Sequence, residues 1–231
     1  MALYSAFARV LRTGFQILHP RWRADREGYP QGAAIFIVHH QNMFGPVHFM
    51  GLAHVQAHMW SLHCFLDREK CFDQYYGYTF QTRYGWPEPV SRLAARVLSY
   101  VVPLTLRSLD AFPVYHDATN IITMRKSLDA FKRDEPIVIC PDIDYASTSP
   151  AIGEIYKGFL HLGTLYRRSA QKDIPFIPVY CSRKRRRILY GPPIYLDSGL
   201  RAADAHDRAA DEIRQGINAL GMACGDIPRE E

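Results

Sequence analysis

Residues 35–46 read Ile-Phe-Ile-Val-His-His-Gln-Asn-Met-Phe-Gly-Pro. The first four residues are apolar and mostly β-branched or aromatic, which predicts a short buried strand. His39 and His40 follow it directly, and Gly45-Pro46 then breaks the local structure. In α/β folds, ligands bind at the carboxyl ends of buried strands, so these histidines are candidates for a functional site. Taken alone, one core histidine and one surface histidine would be the simpler interpretation.

Outside this stretch, apolar strands alternate with amphipathic segments. Further strands are predicted at residues 61–66, 112–115, 137–140 and 174–180, with a hairpin of 187–190 and 194–196 around Gly191. Helices are predicted at residues 2–18, 47–58, 91–108, 119–131 and 157–169 and from 204 onward. Because the strands lack polar alternation, we expect an α/β fold, a single domain over residues 24–231 with a largely parallel or mixed central sheet flanked by helices. Residues 67–90 show no clean period and are predicted to form an irregular surface loop.

Two of the predicted helices have apolar surfaces that could contact lipid. In the first helix, Phe7 and Val10 fall on one face and Arg9 and Arg12 on the other. Such a helix can lie in a membrane interface or pack on its own domain, and both alternatives stay open. Residues 1–23 are therefore a candidate membrane anchor. The helix at 91–108 is apolar around most of its circumference, which suits a deeply buried helix or one that touches lipid.

The amino-acid composition indicates which binding partners and which cellular compartment to expect. The net charge is +5 and most basic residues are Arg, which favours an anionic partner, although a small positive charge can simply aid solubility. Five widely spaced cysteines form no Cys-x-x-Cys pair, which indicates a reducing, cytosolic environment. No apolar run is long enough to cross a membrane, and we find no signal peptide. We expect a cytoplasmic protein that associates peripherally with the cytoplasmic face of the membrane.

Two further patterns allow other functions. The histidines of residues 48–63 raise the hypothesis of a histidine-metal hydrolase, but they lack acidic or cysteine partners at the usual spacings, so we expect no metal site. The basic run at 183–187 lies between two predicted strands, where a solvated turn is the usual explanation. Because no nucleic-acid motif surrounds that run, we expect no nucleic-acid partner.

Candidate acid–base groups follow two of the predicted strands. His39 and His40 end the first, and Asp142 and Asp144 follow the strand at 137–140. A histidine there can take a proton from an acceptor hydroxyl, and a carboxylate can orient it. Basic side chains expected near the same edge could hold a phosphate: Arg125, Lys126 and Lys157.

Four sequence blocks occur in an order that is typical of one enzyme family. They are His-His-Gln-Asn-Met-Phe-Gly at 39–45, Asp-Ala-Phe-Pro-Val-Tyr-His at 110–116, Cys-Pro-Asp-Ile at 140–143 and Ile-Pro-Val at 177–179. Over residues 33–197 the chain resembles the glycerolipid acyltransferases, which include the 1-acylglycerol-3-phosphate and lysophospholipid acyltransferases. In that family the first three blocks read Asn/His-His-x-Ser-x-x-Asp, Gly-x-x-Phe/Val-Ile-x-Arg and Phe-Pro-Glu-Gly.

The resemblance implies a glycerolipid acyltransferase-like fold and a role in phospholipid metabolism. His40 would be the general base, with Asp142 as a second catalytic residue. The acceptor, a lysophospholipid, glycerol phosphate or related alcohol, would attack the thioester of acyl-CoA or an acyl carrier protein, a co-substrate rather than a cofactor. The phosphate or polar head of the acceptor would be bound by four residues: His116, Arg125, Asp144 and Lys157.

The chain departs from the family at a functional residue of each of the first three blocks. Gly45 stands where the family has the catalytic Asp, His116 replaces the phosphate-binding Arg, and Asp142 replaces Glu. Loss of an orienting acid lowers the rate by about four orders of magnitude in well-studied triads. We expect a divergent active enzyme in which another polar group orients His40, the candidates being Asp142, Asp144, Asn42 and His39. The alternative is a catalytically degenerate lipid-binding relative.

Overall fold

The computed structural model describes residues 4–25, 32–115 and 117–228. The strands are β1 (Arg23–Ala24), β2 (Ile35–Val38), β3 (His58–Leu62), β4 (Phe112–Val114), β5 (Ile137–Ile139), β6 (Phe176–Ser182) and β7 (Arg187–Tyr190). The α-helices are α1 (Ala6–Leu18), α2 (Phe44–Leu52), α3 (Arg68–Asp73), α4 (Glu88–Ser108), α5 (Ile121–Lys132), α6 (His161–Ala170) and α7 (Ala202–Cys224). The strands pair mostly in parallel and helices flank them, so the predicted α/β class is confirmed.

The chain groups into two compact units. The first unit comprises Met1–Val10 and His58–Lys126, and the second comprises Leu11–Ala57 and Ser127–Glu231. The boundaries pass through α1 and α5. The single domain expected over residues 24–231 stays a prediction.

The sheet of the second unit places β2 between two other buried strands. Its strand order is β1-β7-β6-β2-β5, and β2 runs parallel to β5 on one side and to β6 on the other. Every residue of β2, β5 and β6 is buried, which explains the uninterrupted apolar runs in the sequence. Because β2 and β5 are adjacent and parallel, the residues that follow them emerge at the same edge of the sheet.

The hairpin predicted around Gly191 is wrong. Strand β7 instead pairs antiparallel with β6, across the basic turn at residues 183–186. After β7, the Gly191 N–H donates to the Pro178 carbonyl at 2.8 Å, and Ile194 bridges to Phe176. Through these contacts, the Gly-Pro-Pro segment runs alongside β6. The run of basic residues is a turn, as predicted.

The irregular loop predicted over residues 67–90 is also wrong. In the first unit, α3 begins after Asp67, whose carboxylate accepts the N–H groups of Glu69 and Lys70, and it continues as a π-helix over Gln74–Arg83. A π-helix bonds each residue to the fifth one along the chain, so its side chains do not follow the 3.6-residue period. Helix α4 packs on this segment, and β3 pairs in parallel with β4.

Helix α1 has features of both a packed helix and a membrane anchor. The Arg12 guanidinium donates to the Ala53 carbonyl, and the Phe15 ring lies where any side chain at Gly51 would go. Ile17 and Leu18 nevertheless remain exposed. The anchor role of residues 1–23, of which 1–3 lie outside the described residues, stays a prediction. Within the described ranges, no helix is both long and apolar enough to cross a membrane.

Candidate functional site

A buried histidine–aspartate pair occupies the carboxyl ends of β2 and β5. His39 directly follows β2, and Asp142 lies three residues beyond the end of β5. The His39 Nδ1 and Asp142 Oδ1 atoms are 2.5 Å apart, and the two residues are only 3% and 6% exposed. Ionisable side chains are seldom buried to this degree unless they are paired. This pair is therefore the strongest indication of a functional site in the second unit.

The second nitrogen of His39 also has a hydrogen-bond acceptor. Its Nε2 lies 3.0 Å from the carbonyl oxygen of Ser149. A carbonyl and a carboxylate can only accept, so both bonds form together only with one hydrogen on Nε2 and another between Nδ1 and Asp142. His39 and Asp142 thus form a buried hydrogen-bonded pair in which each ring nitrogen of His39 has an acceptor.

The second carboxylate oxygen of Asp142 holds the backbone of the next residue. Asp142 Oδ2 accepts the His40 N–H at 3.0 Å. Asp142 therefore orients the His39 ring and the His40 main chain. The ring of His40 is half-buried, lies 6.0 Å from the Tyr145 ring centre, and accepts the Met43 N–H on Nδ1 at 3.1 Å. In the neutral His40 ring, this contact leaves the hydrogen on Nε2.

A left-handed turn carries the chain from the histidines into α2. Gln41, Asn42 and Met43 have φ angles of 44°, 50° and 73°. Each such residue other than glycine costs about 1–2 kcal/mol, somewhat less for Asn. Strained backbone of this kind persists only where the surrounding structure fixes it, and it clusters at functional sites.

Gly45 is required by the geometry of this turn. A Cβ at position 45 would overlap the His39 carbonyl oxygen and crowd the Val38 side chain. The acyltransferase resemblance predicts an Asp at this position, and an Asp side chain has no space beside the present backbone. Any orienting carboxylate must come from elsewhere in the chain, and Asp142 supplies one to His39.

Gln41 adds a second buried polar group at the same edge. Its side chain is buried, and among the described residues its Oε1 has no hydrogen-bond partner. Burial raises the pKa of the Tyr180 phenol, and a hydrogen bond from Gln41 opposes that rise. An unpaired buried oxygen costs about 1–3 kcal/mol. Both backbone strain and an unsatisfied polar atom are therefore present at the end of β2.

The other predicted site residues are dispersed. Lys157 is exposed and donates to Asp207 at 2.7 Å, and this hydrogen bond raises the pKa of the lysine. Asp144 is exposed in the segment after β5, and Arg125 is exposed on the part of α5 that belongs to the first unit. His116 lies outside the described residues. The structure thus brings together four of the predicted residues: His39, His40, Asn42 and Asp142.

Lys126 lines a separate cavity within the first unit. That cavity has a volume of about 420 Å³. Its charged lining consists of His63, Asp67, Lys70, Arg107, Asp110 and Lys126. Because acidic groups accompany the basic ones, this cavity is less specific for an anion than the count of cations alone would indicate.

The nearby cysteines do not supply a nucleophile. Cys140 follows β5 directly, and Cys181 lies in β6, where its thiol points to the Gly45 carbonyl at 3.6 Å. Burial raises the pKa of Cys140 well above its usual value and that of Cys181 to about 12. A thiol that stays protonated is a poor nucleophile, so the chemistry available here is histidine–carboxylate acid–base chemistry.

Three of the four histidines considered for a metal site bond to the backbone. His48 bonds the Phe44 carbonyl at 2.8 Å, His58 that of Asp110 at 2.9 Å, and His63 that of Val114 at 3.3 Å. Burial lowers the pKa of His48, and the nearby His19 and Arg183 lower it further. In the part of the chain that the structure describes, no cluster of three or more metal-ligating side chains is found.

Two contacts of the site were not anticipated from the sequence. The Ser149 carbonyl and the Met43 N–H fix the two histidine rings, and main-chain groups carry no sequence signal. Comparison with known proteins gives no match, whether to protein-family models, to curated proteins or to solved structures. The resemblance to glycerolipid acyltransferases therefore rests on the sequence blocks and stays a prediction.

Proposed function

We propose that this protein transfers an acyl group from an acyl thioester, acyl-CoA or an acyl carrier protein, to a hydroxyl of a lysophospholipid, glycerol phosphate or related acceptor. The observation that carries this proposal is the buried His39–Asp142 pair, whose carboxylate also fixes the backbone of the half-exposed His40. Acyl transfer to an alcohol requires a positioned base, and preorganised histidine–carboxylate pairs supply that requirement in many enzymes.

His40 is the residue proposed to meet the acceptor. It takes the hydroxyl proton while the oxygen attacks the thioester carbonyl, and the departing thiolate then receives that proton. To accept a proton on Nδ1, the ring must first release the Met43 N–H. The left-handed turn favours this release, because relaxing Gln41, Asn42 and Met43 would recover about 1–2 kcal/mol per residue.

Asp142 and His39 are proposed to position His40 through its main chain. Their hydrogen bond holds the end of β2 against the end of β5. The role of Arg125, Asp144, His116 and Lys157 in binding the acceptor's phosphate remains part of the proposal. Lys157 would first have to exchange Asp207 for the phosphate, which lowers the net gain.

The test is thiol release from acyl-CoA in the presence of a panel of lysophospholipids and simple alcohols. His40→Ala should lower the rate by about 10²–10⁴-fold, the usual contribution of a general base. His54→Ala is the matched control, because His54 is exposed in the same unit and away from the end of β2. Thiol release that survives His40→Ala would remove His40 from the mechanism.

A non-catalytic lipid-binding protein is the second candidate, and a specific observation favours it. Both nitrogens of His39 and Nδ1 of His40 are already bonded within the chain. Position 45 cannot supply the missing acid with this backbone. Saturable binding of an acyl chain, with no thiol release in the presence of any acceptor, would support this candidate over the acyltransferase.

A further inference from the structure

Helix α4 has an inverted distribution of side chains. The residues that it buries are small or ring-constrained: Ser91, Ala95, Ser99 and Pro103. The residues that it exposes include six large side chains, each 51–67% exposed: Val90, Leu93, Val97, Tyr100, Val101 and Leu104. We call these six residues the α4 stripe. In most amphipathic helices the large apolar residues face the protein instead.

The α4 stripe is continuous along one side of the helix. Apart from the adjacent Tyr100 and Val101, each member lies three or four positions from the next along the face, which extends over about 21 Å. On the opposite side, α4 packs against α3 and the π-helix. The small buried residues allow that close packing, and the six side chains of the α4 stripe lie outside the core of the unit.

Arginine and tyrosine side chains border the α4 stripe. The Arg68 guanidinium lies 3.5 Å from the ring centre of Tyr100, and Arg92 lies 5.6 Å from that of Tyr76. Arg96 and Arg107 add two exposed cations on the helix itself. Glu88 is the only acidic residue of α4, and it pairs with Arg92 at 2.6 Å. The charge on α4 itself is therefore predominantly positive.

The start of α1 extends the apolar surface. The Ser5 N–H donates to the Ser108 carbonyl at 3.0 Å, which places the beginning of α1 at the C-terminal end of α4. Phe7 and Val10, one turn further on, are both exposed. The first unit thus presents apolar side chains from two joined helices.

We propose that the α4 stripe, with Phe7 and Val10, is a surface that binds an anionic lipid bilayer. Exposed apolar residues bordered by Arg and Tyr match the chemistry of a membrane interface, where apolar groups enter the acyl region and cations meet lipid phosphates. A symmetric contact with a second copy would instead bring two sets of arginines together, with like charges opposed. This surface does not depend on the acid–base chemistry at His40.

Co-sedimentation of the full chain with vesicles tests this assignment. The vesicles contain phosphatidylcholine either alone or mixed with phosphatidylglycerol. The triple variant Leu93→Glu, Val97→Glu, Leu104→Glu should bind the mixed vesicles at least about tenfold more weakly than wild type. A matched variant, Leu165→Glu, Leu200→Glu, Met222→Glu, adds the same charge at exposed positions of the second unit and should bind like wild type.

Three results would overturn the assignment. They are equal binding by the two triple variants, equal binding of wild type to neutral and mixed vesicles, and a lipid-free dimer that the α4 variant converts to a monomer. Thermal unfolding of both variants shows whether they fold. If the α4 variant does not fold, wild type is tested instead. Trp86 is exposed two residues before α4, and brominated lipid in the vesicles should quench its fluorescence. Quenching in wild type that is absent from Trp86→Phe supports the surface. A lack of quenching in wild type overturns it.

Discussion

The end of β2 and the outer face of α4 both depart from the usual distribution of side chains. Ionisable groups are buried in the first region, and large apolar groups are exposed in the second. At the end of β2, the ionisable His39 and Asp142 are buried, whereas on α4 the apolar Leu93 and Val97 are exposed. A buried histidine–carboxylate pair seldom stabilises a fold more than apolar packing would, and an exposed leucine gains nothing from the hydrophobic effect. These two arrangements are the observations behind the two proposals, one of a reacting group at the end of β2 and one of a binding surface on α4.

The largest effect is expected from Asp142→Ala. The change removes the hydrogen-bond partner of His39 Nδ1 and of the His40 N–H, and breaking a buried pair in this way costs about 3–5 kcal/mol. Urea unfolding measures the loss. Asp144→Ala, an exposed carboxylate two residues away, is the control and should stay within about 0.5 kcal/mol of wild type.

Asp142→Asn separates charge from hydrogen bonding at the same position. An amide can donate to His39 Nδ1 and accept the His40 N–H, while neutral His39 still donates Nε2–H to Ser149. We therefore expect Asp142→Asn to unfold at a clearly higher urea concentration than Asp142→Ala. Equal midpoints for the two variants would contradict the hydrogen-bond network described for Asp142.

Gly45→Ala should have the next largest effect. The added methyl group meets the His39 carbonyl oxygen, and overpacking of this kind costs about 1–3 kcal/mol or more. Gly158→Ala is the matched control, because a Cβ there has no neighbour within 4 Å. Restoring the family's residue with Gly45→Asp should destabilise the protein as well. A Gly45→Ala protein as stable as Gly158→Ala would show that the turn at 41–43 is not fixed as described.

The sequence predicted which strand ends meet, but not which histidine pairs with the acid. The apolar runs of β2 and β5 identified adjacent buried strands, and Asp142 was correctly placed with the histidines. His39 and His40 are consecutive, so their side chains point in different directions, and only the local backbone decides which one faces β5. That backbone includes three left-handed residues, of which only Asn42 is of a type that favours this conformation.

The same limit applies to the helices. The pattern of residues 91–108 correctly indicated a helix, but deep burial is wrong because six large side chains of α4 are exposed, and lipid contact stays a proposal. The pattern could not show that Ser91, Ala95 and Ser99 face the unit, because a helix with apolar residues around most of its circumference does not reveal which side is packed. The sequence did not predict the π-helix at 74–83 because its side chains do not follow the 3.6-residue period of an α-helix.

Met43→Gly tests the strain at the end of β2 with a smaller effect. Glycine adopts the φ of 73° without penalty, which recovers about 1–2 kcal/mol, but it loses more chain entropy on folding, about 0.5–1 kcal/mol. Met43 is exposed, so little packing is lost. We expect the free energy of unfolding to rise by up to about 1 kcal/mol. A decrease would mean that the Met43 side chain contributes packing that its exposure does not indicate.

The smallest effect is expected from Leu93→Gln, on the outer face of α4. Removing a leucine from a core costs about 2–5 kcal/mol, and the buried Leu162→Ala should show that loss. Leu93 is 67% exposed, so Leu93→Gln should change the free energy of unfolding by less than about 0.5 kcal/mol. Urea unfolding of the two variants in the same buffer, without lipid, makes the measurement. A loss at Leu93 close to that at Leu162 would mean that the α4 stripe is packed in solution, and the contrast between α4 and the end of β2 would then disappear.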